Sequence, residues 1–365
     1  MSDIPETARQ IAGLFALPGE IESCEAYGCG HVNHTFRVHC RGRAEDYVLQ
    51  RISAIAFHHP EQVMENVVRV TAHLQRAVAA RGGDPARETL TLIPLKRGGY
   101  CTYDREGVCW RMYRFIPDTV TYQLPDTPEV LRQAGAAFGS FQAMLADFPA
   151  GELYETIPRF HDTPHRLADF RRALREDSAG RARTCGEEIE AILSRADRAG
   201  ELMDAGLPLR VTHNDTKLNN VLMDSATGRG LCVVDLDTVM PGLAAWDFGD
   251  AVRFGANTAL EGERDLSKVR FSLPMYRAWA EGYLEQAGSM LTPGELDSLP
   301  IGCWMMTYEL ASRFLADYLS GDVYFHIELP DDNLARARCQ LALLADMERH
   351  GNEMLQVIHE LTGRV

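Results

Sequence analysis

The residues of this chain that could do chemistry crowd into one stretch, VTHNDTKLNNVLMDSATGRGLCVVDLDTVMPGLAAWDFGD, residues 211–250. An apolar lead-in meets a polar cluster: His213, Asn214, Asp215, Thr216, Lys217, Asn219 and Asn220. Two short apolar runs, NVLM and LCVV, flank DSATGRG, and that pattern predicts a β-hairpin with a Gly-bearing turn. A hairpin brings its two ends together, so Asp215 and Asn220 before it and Asp235 after it are expected to converge. One amide and two carboxylates placed this way suit phosphoryl transfer. Asp215 is the candidate base for the proton of an attacking hydroxyl. Asn220 and Asp235 offer hard oxygens to Mg²⁺, which neutralises charge on nucleotide phosphates. The plainer alternative is a polar turn whose Asp and Asn side chains cap loops.

The spacing His213-x-Asp215-x-x-x-x-Asn220 matches a kinase catalytic loop, and Asp235 lies fifteen residues beyond Asn220, after an apolar strand. The literal Asp247-Phe248-Gly249 lies 32 residues after Asp215 and follows no such strand. The metal role therefore goes to Asp235. Asp247 either caps the next helix or orders the catalytic loop from behind. The phrases HNDTKLNNVL, CVVDLDTVMPGL and DFGDAVRFGAN resemble the aminoglycoside phosphotransferase and choline kinase-like group. WRMYRFI at 110–116, IPRFHDTPHR at 157–166 and SRFLADYLSGDVYF at 312–325 support the likeness, which spans about residues 20–345. Within that group the phrases are most similar to the N-acetylhexosamine 1-kinases.

The resemblance implies a protein-kinase-like, two-lobe α+β fold with ATP and Mg²⁺. It implies transfer to the anomeric hydroxyl of an N-acetylhexosamine (GlcNAc or GalNAc), giving the sugar 1-phosphate and ADP. That hydroxyl is more acidic than an ordinary alcohol, so the base need not be strong. Another alcohol acceptor (an aminoglycoside, an amino alcohol or a different sugar) and an inactive kinase-fold binding module are the alternatives. On the nucleotide side, Gly28 and Gly30 sit in the turn between the first two strands, where glycine lets a backbone approach phosphate. Asn33 stands where a third glycine would. At the end of YVLQRI, Gln50 occupies the place of the phosphate-binding Lys, with Arg51 facing the other way. Either Arg51 substitutes through a local bulge, or the site manages without that cation; Lys217, two residues after the base, is an alternative cation for the transferred phosphoryl group. Glu65, the candidate helix partner of the usual Lys, is weakened with it. Adenine is expected at backbone groups of Arg114–Ile116, near Met112 and Phe115. For the acceptor, Arg313 is the first candidate, against an ion pair with Glu309 or Asp317. Phe254 could stack on a sugar or lie in the core. The FHDT phrase at 160–163 is distinctive without an evident mechanism.

Positioning these residues falls to two differently patterned regions. Residues 5–16 read as a helix, 21–52 as strands, 60–80 as a long helix, and 89–95, 99–104 and 108–116 as short strands. Beyond about 125, helical spacing dominates at 127–145, 165–175, 185–204, 274–287, 293–319 and 331–360. This gives a small antiparallel-sheet lobe, 1–117, that binds nucleotide, and a larger helical lobe, 118–365, that carries catalysis and the acceptor.

Composition excludes several other classes. The chain has 37 basic and 52 acidic residues, a net charge of -15, which argues against a general nucleic-acid binder. Nine cysteines without a C-x-x-C pair argue against a disulfide framework or a zinc site. No apolar run approaches the ~18 residues of a membrane span, and MSDIPETARQIAGLF does not read as a secretory signal. The expectation is a cytoplasmic protein, monomeric or a small homo-oligomer, with a small-molecule sugar substrate.

Overall fold

The computed structural model describes residues 4–28 and 33–364 of the 365-residue chain. In chain order, α1 (Ile4–Ala12) precedes β1 (Ile21–Ala26), β2 (His34–Cys40) and β3 (Asp46–Arg51). Then come α2 (Pro60–Ala80), α3 (Pro85–Glu88), β4 (Cys101–Tyr103), β5 (Cys109–Arg114) and β6 (Thr119–Val120). Helices α4 (Pro128–Met144), α5 (Thr163–Glu176) and α6 (Gly186–Leu193) lead to β7 (Arg210–Thr212) and the hairpin β8 (Val221–Asp224) and β9 (Gly230–Val233). After β10 (Met240–Gly242) the chain is helical: α7 (Ala244–Gly255), α8 (Leu273–Ala287), α9 (Pro293–Ser320) and α10 (Asp332–Thr362). The class is α+β, as the sequence implies.

The chain divides into two compact units. The first is Met1–Val120 with Asp147–Pro158 and Leu222–Met240; the second is Thr121–Ala146, Arg159–Val221 and Pro241–Val365. Asp235 therefore counts with the first unit, and Asp215, Lys217 and Asn220 with the second.

In the first unit, five antiparallel strands run in the order β1-β2-β3-β5-β4. Period-two alternation sends Phe36, Val38, Cys40, Tyr47, Leu49, Trp110 and Met112 into one core with Ala8, Ile11, Ala12 and Phe15 at and just beyond α1. Full burial of each large side chain there is worth about 1.5–3 kcal/mol. Met112 is thus a core residue. The same alternation puts Thr35, Gln50, Arg111 and Cys101 in one cross-strand row, neighbour facing neighbour. The hairpin β8–β9 forms as expected. Its turn is fastened by Asp224, whose carboxylate accepts from the backbone N–H of Ala226 and Thr227. Strand β6, unforeseen, pairs with β8.

The segment 89–95 is not a strand. It makes two isolated bridges, Leu92 to Tyr113 and Leu95 to Phe15, with Ile93 N donating to Met112 O at 2.8 Å and Arg114 N to Thr91 O at 2.9 Å. Pro94 then has no N–H to extend the ladder. The first helix stops at Ala12 rather than 16, where Gly13 and Leu14 turn the chain. The 185–204 helix breaks after Leu193 into a short 3₁₀ turn at Ala196–Arg198.

In the second unit, α7 is a helix that apolar spacing did not reveal, because Asp247, Gly249, Asp250 and Arg253 are all buried along it. Gly249 is there for contact with α9: a Cβ on it would overlap the backbone of Gly302. The literal Asp-Phe-Gly is thus a helix crossing. No helix among the described residues is long and apolar enough to cross a membrane.

Candidate active site

The catalytic loop begins where β7 ends. Asn214 takes a left-handed conformation, φ 64°, which Asn tolerates better than most residues and which its surroundings here hold in place. Those surroundings are explicit. Thr212 Oγ1 donates to Asn214 Oδ1 at 3.0 Å. One carboxylate of α7, Asp247, accepts the backbone N–H of His213 through Oδ2 and of Asn214 through Oδ1, each at 2.7 Å. Thr216 Oγ1 donates to the Asp247 carbonyl at 2.6 Å, and Thr216 N donates to Asp250 Oδ2 at 3.1 Å. Asp247 therefore does not cap α7; it sits in the first turn and holds the loop. Burial pushes its carboxyl up to about 6, against the pull of His213 and the two N–H donors.

Held in this way, Asp215 presents a partly exposed carboxylate. Lys217 Nζ lies 2.7 Å from Oδ1, and Asn220 Nδ2 donates to Oδ2 at 3.0 Å and to the Asp215 carbonyl at 2.8 Å. Burial raises the Asp215 carboxyl, but Lys217, His213 and Asn220 outweigh it, and the group stays below the ordinary carboxylate range. The attraction of Asp215 raises the Lys217 ammonium in turn. Asp215 is thus an ionised acceptor at neutral pH. Because the Asn220 amide nitrogen is given to Asp215, its oxygen is the end that can meet a cation. Beside it, Asn219 Oδ1 is buried with no hydrogen-bond partner. Hard amide and carboxylate oxygens of this kind fit Mg²⁺, which takes few protein ligands and keeps phosphate and water for the rest. No cluster of three or more His, Cys, Asp or Glu gathers as a metal site among the described residues.

In the first unit, Asp235 follows β9 in a left-handed conformation, φ 60°. Two residues on, Asp237 is buried. Its Oδ1 pairs with the fully buried Arg111, its Oδ2 accepts from Asn33 Nδ2 at 2.7 Å, and its carbonyl accepts from Thr156 Oγ1 at 2.8 Å. Arg111 also donates twice to Gln50 Oε1, at 3.0 and 2.9 Å, and Gln50 Nε2 reaches Thr35 Oγ1 at 3.3 Å. So the cation beside Gln50 is Arg111, which sequence reasoning missed. The missed signal is register: Gln50 faces Arg111 across β3 and β5. The bulge that would turn Arg51 to the side of Gln50 is absent. The ladder runs on through Arg51, which pairs with Asp104 at 3.4 Å and Glu106 at 2.8 Å. Glu65 pairs with Arg69.

Gly28 has φ 79° and open space around it, whereas Gly30 lies outside the described residues. Besides Asp237, Asn33 binds Ser53 N through its Oδ1 at 2.9 Å. At the expected adenine position, Arg114 N is used by Thr91, Phe115 N donates to Asp46 O at 2.9 Å, and Ile116 O accepts from Thr119 Oγ1 at 3.1 Å. The Phe115 ring lies under the Arg37 guanidinium at 4.2 Å.

On the acceptor side, Arg313 of α9 is mostly buried, its Nη1 3.7 Å from Glu309 Oε1. Its guanidinium is ringed by Phe160, Tyr324 and Phe325 at 5.3–5.9 Å. Asp317 is occupied elsewhere, accepting from the backbone N–H of Val323, Tyr324 and Phe325. Phe254 is half-buried beside Arg253.

Residues 23–288 match the family described as the phosphotransferase enzyme family (APH). Among solved structures, this chain is similar to a microcompartment-associated aminopropanol kinase at 16% identity, with 96% of this chain and 98% of that one covered and a TM-score of 0.57. It is also similar to a spectinomycin phosphotransferase solved with ADP and spectinomycin, at 12% identity, 98% of each chain and a TM-score of 0.57. A choline kinase from Cryptosporidium parvum Iowa II matches at 14% identity, 99% of each chain and a TM-score of 0.56.

Proposed function

The chain belongs to this phosphotransferase family, and from that premise we propose that it transfers the γ-phosphoryl group of ATP to the anomeric hydroxyl of an N-acetylhexosamine. Asp215 accepts the hydroxyl proton as the oxygen attacks phosphorus. Its partners Lys217 and Asn220 keep it ionised for that task, and Lys217 also offers charge to the phosphoryl group in transfer. Asn220 and Asp235 would hold Mg²⁺, which when bound neutralises charge on the nucleotide phosphates. Gly28, Gly30 and Asn33 are assigned to those phosphates. Gln50 acts through Arg111, which it fixes in place, and the backbone groups of Arg114–Ile116 other than the bonded Arg114 N–H and Phe115 N–H receive the adenine. Positioning and charge neutralisation supply most of the rate.

The observation that carries the choice of acceptor is the Arg313 guanidinium. It shares Glu309 with a hydrogen-bonded chain that ends on the catalytic loop, through His161 to the Asn214 carbonyl. A second guanidinium, Arg166, lies near enough to Arg313 that burial and that like charge lower its affinity for a proton. Such a pair repels an ammonium group. It suits a neutral acceptor rich in hydroxyl and amide oxygens, and Phe254 adds an apolar face for the ring.

The test is ADP release from Mg-ATP across N-acetylglucosamine, N-acetylgalactosamine, choline, aminopropanol and an aminoglycoside. Turnover with an N-acetylhexosamine and little with the cations is expected. Turnover with a cation alone would overturn the acceptor, and no turnover with any would favour an inactive binding module.

A further inference from the structure

The FHDT phrase finds its place in the second unit. Asp162 accepts from His165 N at 2.9 Å and caps α5. Thr163 Oγ1 donates to Glu309 Oε2 at 2.8 Å. His161 stands between Glu309 and the catalytic loop: Nδ1 is 3.0 Å from Glu309 Oε1, and Nε2 is 3.2 Å from the Asn214 carbonyl. His161, Thr163 and Glu309 are all nearly or fully buried. The ring is wedged against Phe160 at 4.3 Å and Trp246 at 5.6 Å, so it has little freedom to turn.

Both groups facing the ring are acceptors only. A backbone carbonyl cannot donate, and neither can a carboxylate. Burial raises the Glu309 carboxyl, yet His161, Arg313 and Thr163 together hold it below its ordinary value, so it is ionised. Two facing acceptors are satisfied together only when both ring nitrogens carry hydrogen. His161 and Glu309 then form a buried ion pair whose free end grips one peptide of the loop.

That peptide matters because it is Asn214–Asp215. Asp247 fixes the N–H groups of His213 and Asn214, which belong to the two preceding peptides, and the N–H of this peptide donates to His213 Nδ1 at a long 3.3 Å. His161 holds the carbonyl on the other side. We propose that His161 is a positioning residue for the base: its Nε2–H fixes the Asn214 carbonyl and thereby the direction in which the Asp215 carboxylate leaves the backbone. Through Glu309 the same pair is shared with Arg313, so the acceptor-side cation and the base rest on one carboxylate. This inference rests on the reading of Asp215 as the base, although its structural half can be tested without turnover.

The test uses full-length protein and three variants. His161→Phe keeps the ring and removes both donors. Glu309→Gln keeps a chain of hydrogen bonds, because its amide nitrogen can donate to Nδ1 while Nε2–H still reaches the carbonyl. His161→Gln is the milder companion should the Phe variant fail to fold. With the sugar acceptor, His161→Phe is expected to lower kcat by about 10²-fold, the scale of a small misplacement of a reacting group, with KM for ATP little changed. Glu309→Gln is expected to lower kcat clearly less than His161→Phe does, since the donor to the loop survives, and to raise KM for the sugar, since Arg313 loses its carboxylate. Nitrogen-15 NMR of the histidine rings at pH 7 should show both His161 nitrogens protonated in the wild type and only Nε2 protonated in Glu309→Gln. The carbon-13 shift of the Asn214 carbonyl should move in His161→Phe and not in Glu309→Gln. Unchanged kcat in the folded Phe variant, or an Nε2 without hydrogen in the wild type, would overturn the proposal. If Asp215→Asn retains activity while the NMR results hold, the reading of the base fails and the positioning of the Asn214 peptide stands.

Discussion

The turn that carries Asp235 and the loop that carries Asp215 each follow a short strand, and each passes through one left-handed residue, Asp235 itself and Asn214. They are stabilised by opposite means. In the first, side chain meets side chain: buried Arg111 neutralises Asp237, and Asn33 takes the other oxygen. In the second, side chain meets backbone: Asp247 receives two N–H groups and His161 grips a carbonyl. The cation-held turn is anchored by residues of the sheet far away in sequence, so it depends on register. The loop is anchored by the helices around it and depends on how closely they pack, down to the absent Cβ of Gly249. A left-handed residue costs about 1 kcal/mol or more, least for Asn and Asp, and both solutions offset that cost with buried or half-buried partners.

Substitutions should separate the two. The largest effect belongs to the loop: Asp215→Asn is expected to lower kcat by about 10³-fold, the scale of a lost general base, with an unchanged melting temperature. A loss of less than about tenfold would move the base elsewhere. Next is the other turn. Arg111→Met strands the buried Asp237 charge and should cost about 3–5 kcal/mol in urea unfolding, while Arg111→Met with Asp237→Asn should recover much of it. The same single variant should raise the Mg²⁺ concentration for half-maximal activity by about 10–100-fold, as loss of an outer partner does at metal sites.

Asp247→Asn comes third. One face of the amide turns a donor toward an N–H, so a cost of about 1–3 kcal/mol is expected. Its pH dependence has a definite sign. The folded carboxyl titrates near 6 and the unfolded one near its ordinary 3.8. The folded state therefore binds the extra proton between those values, and Asp247 contributes less stability as pH rises through that window. The stability gap between wild type and Asp247→Asn should narrow from pH 4 to pH 6 and then level off. A gap that widens would mean the carboxyl is held low. The smallest effect is Arg51→Ala. The side chain of its partner Asp104 is buried but keeps the backbone N–H of Glu106 and Val108 and the Trp110 ring N–H as donors, so a change of about 1 kcal/mol is expected, with kcat unaltered. A large loss of kcat would restore Arg51 as the phosphate cation.

The sequence made one half of this comparison easier to read than the other. Asp215, Asn220 and the hairpin before Asp235 are local, and their spacing carries them. The two helices predicted at 60–80 and 127–145 appear within a residue or so of those limits, because their apolar faces repeat every turn. Arg111 was not legible, since only pairing of β3 with β5 sets it opposite Gln50. Helix α7 was not legible either: its buried face is made of Asp247, Asp250 and Arg253, which reads as solvent-facing in any apolar pattern. His161 and Glu309 are 148 residues apart, and no spacing rule joins them. Pro94 could have been read correctly, because a proline at that point argues against a strand.

The most direct test of the account is phosphorus-31 NMR of the product formed from Mg-ATP and N-acetylglucosamine or N-acetylgalactosamine, with wild-type protein and Asp215→Asn side by side. The account predicts a doublet from phosphate coupled to the anomeric proton in the wild type, dependent on Mg²⁺ and lost in the variant. A phosphate signal with a different coupling, from a hydroxyl other than the anomeric one, or an undiminished doublet in Asp215→Asn, would contradict it.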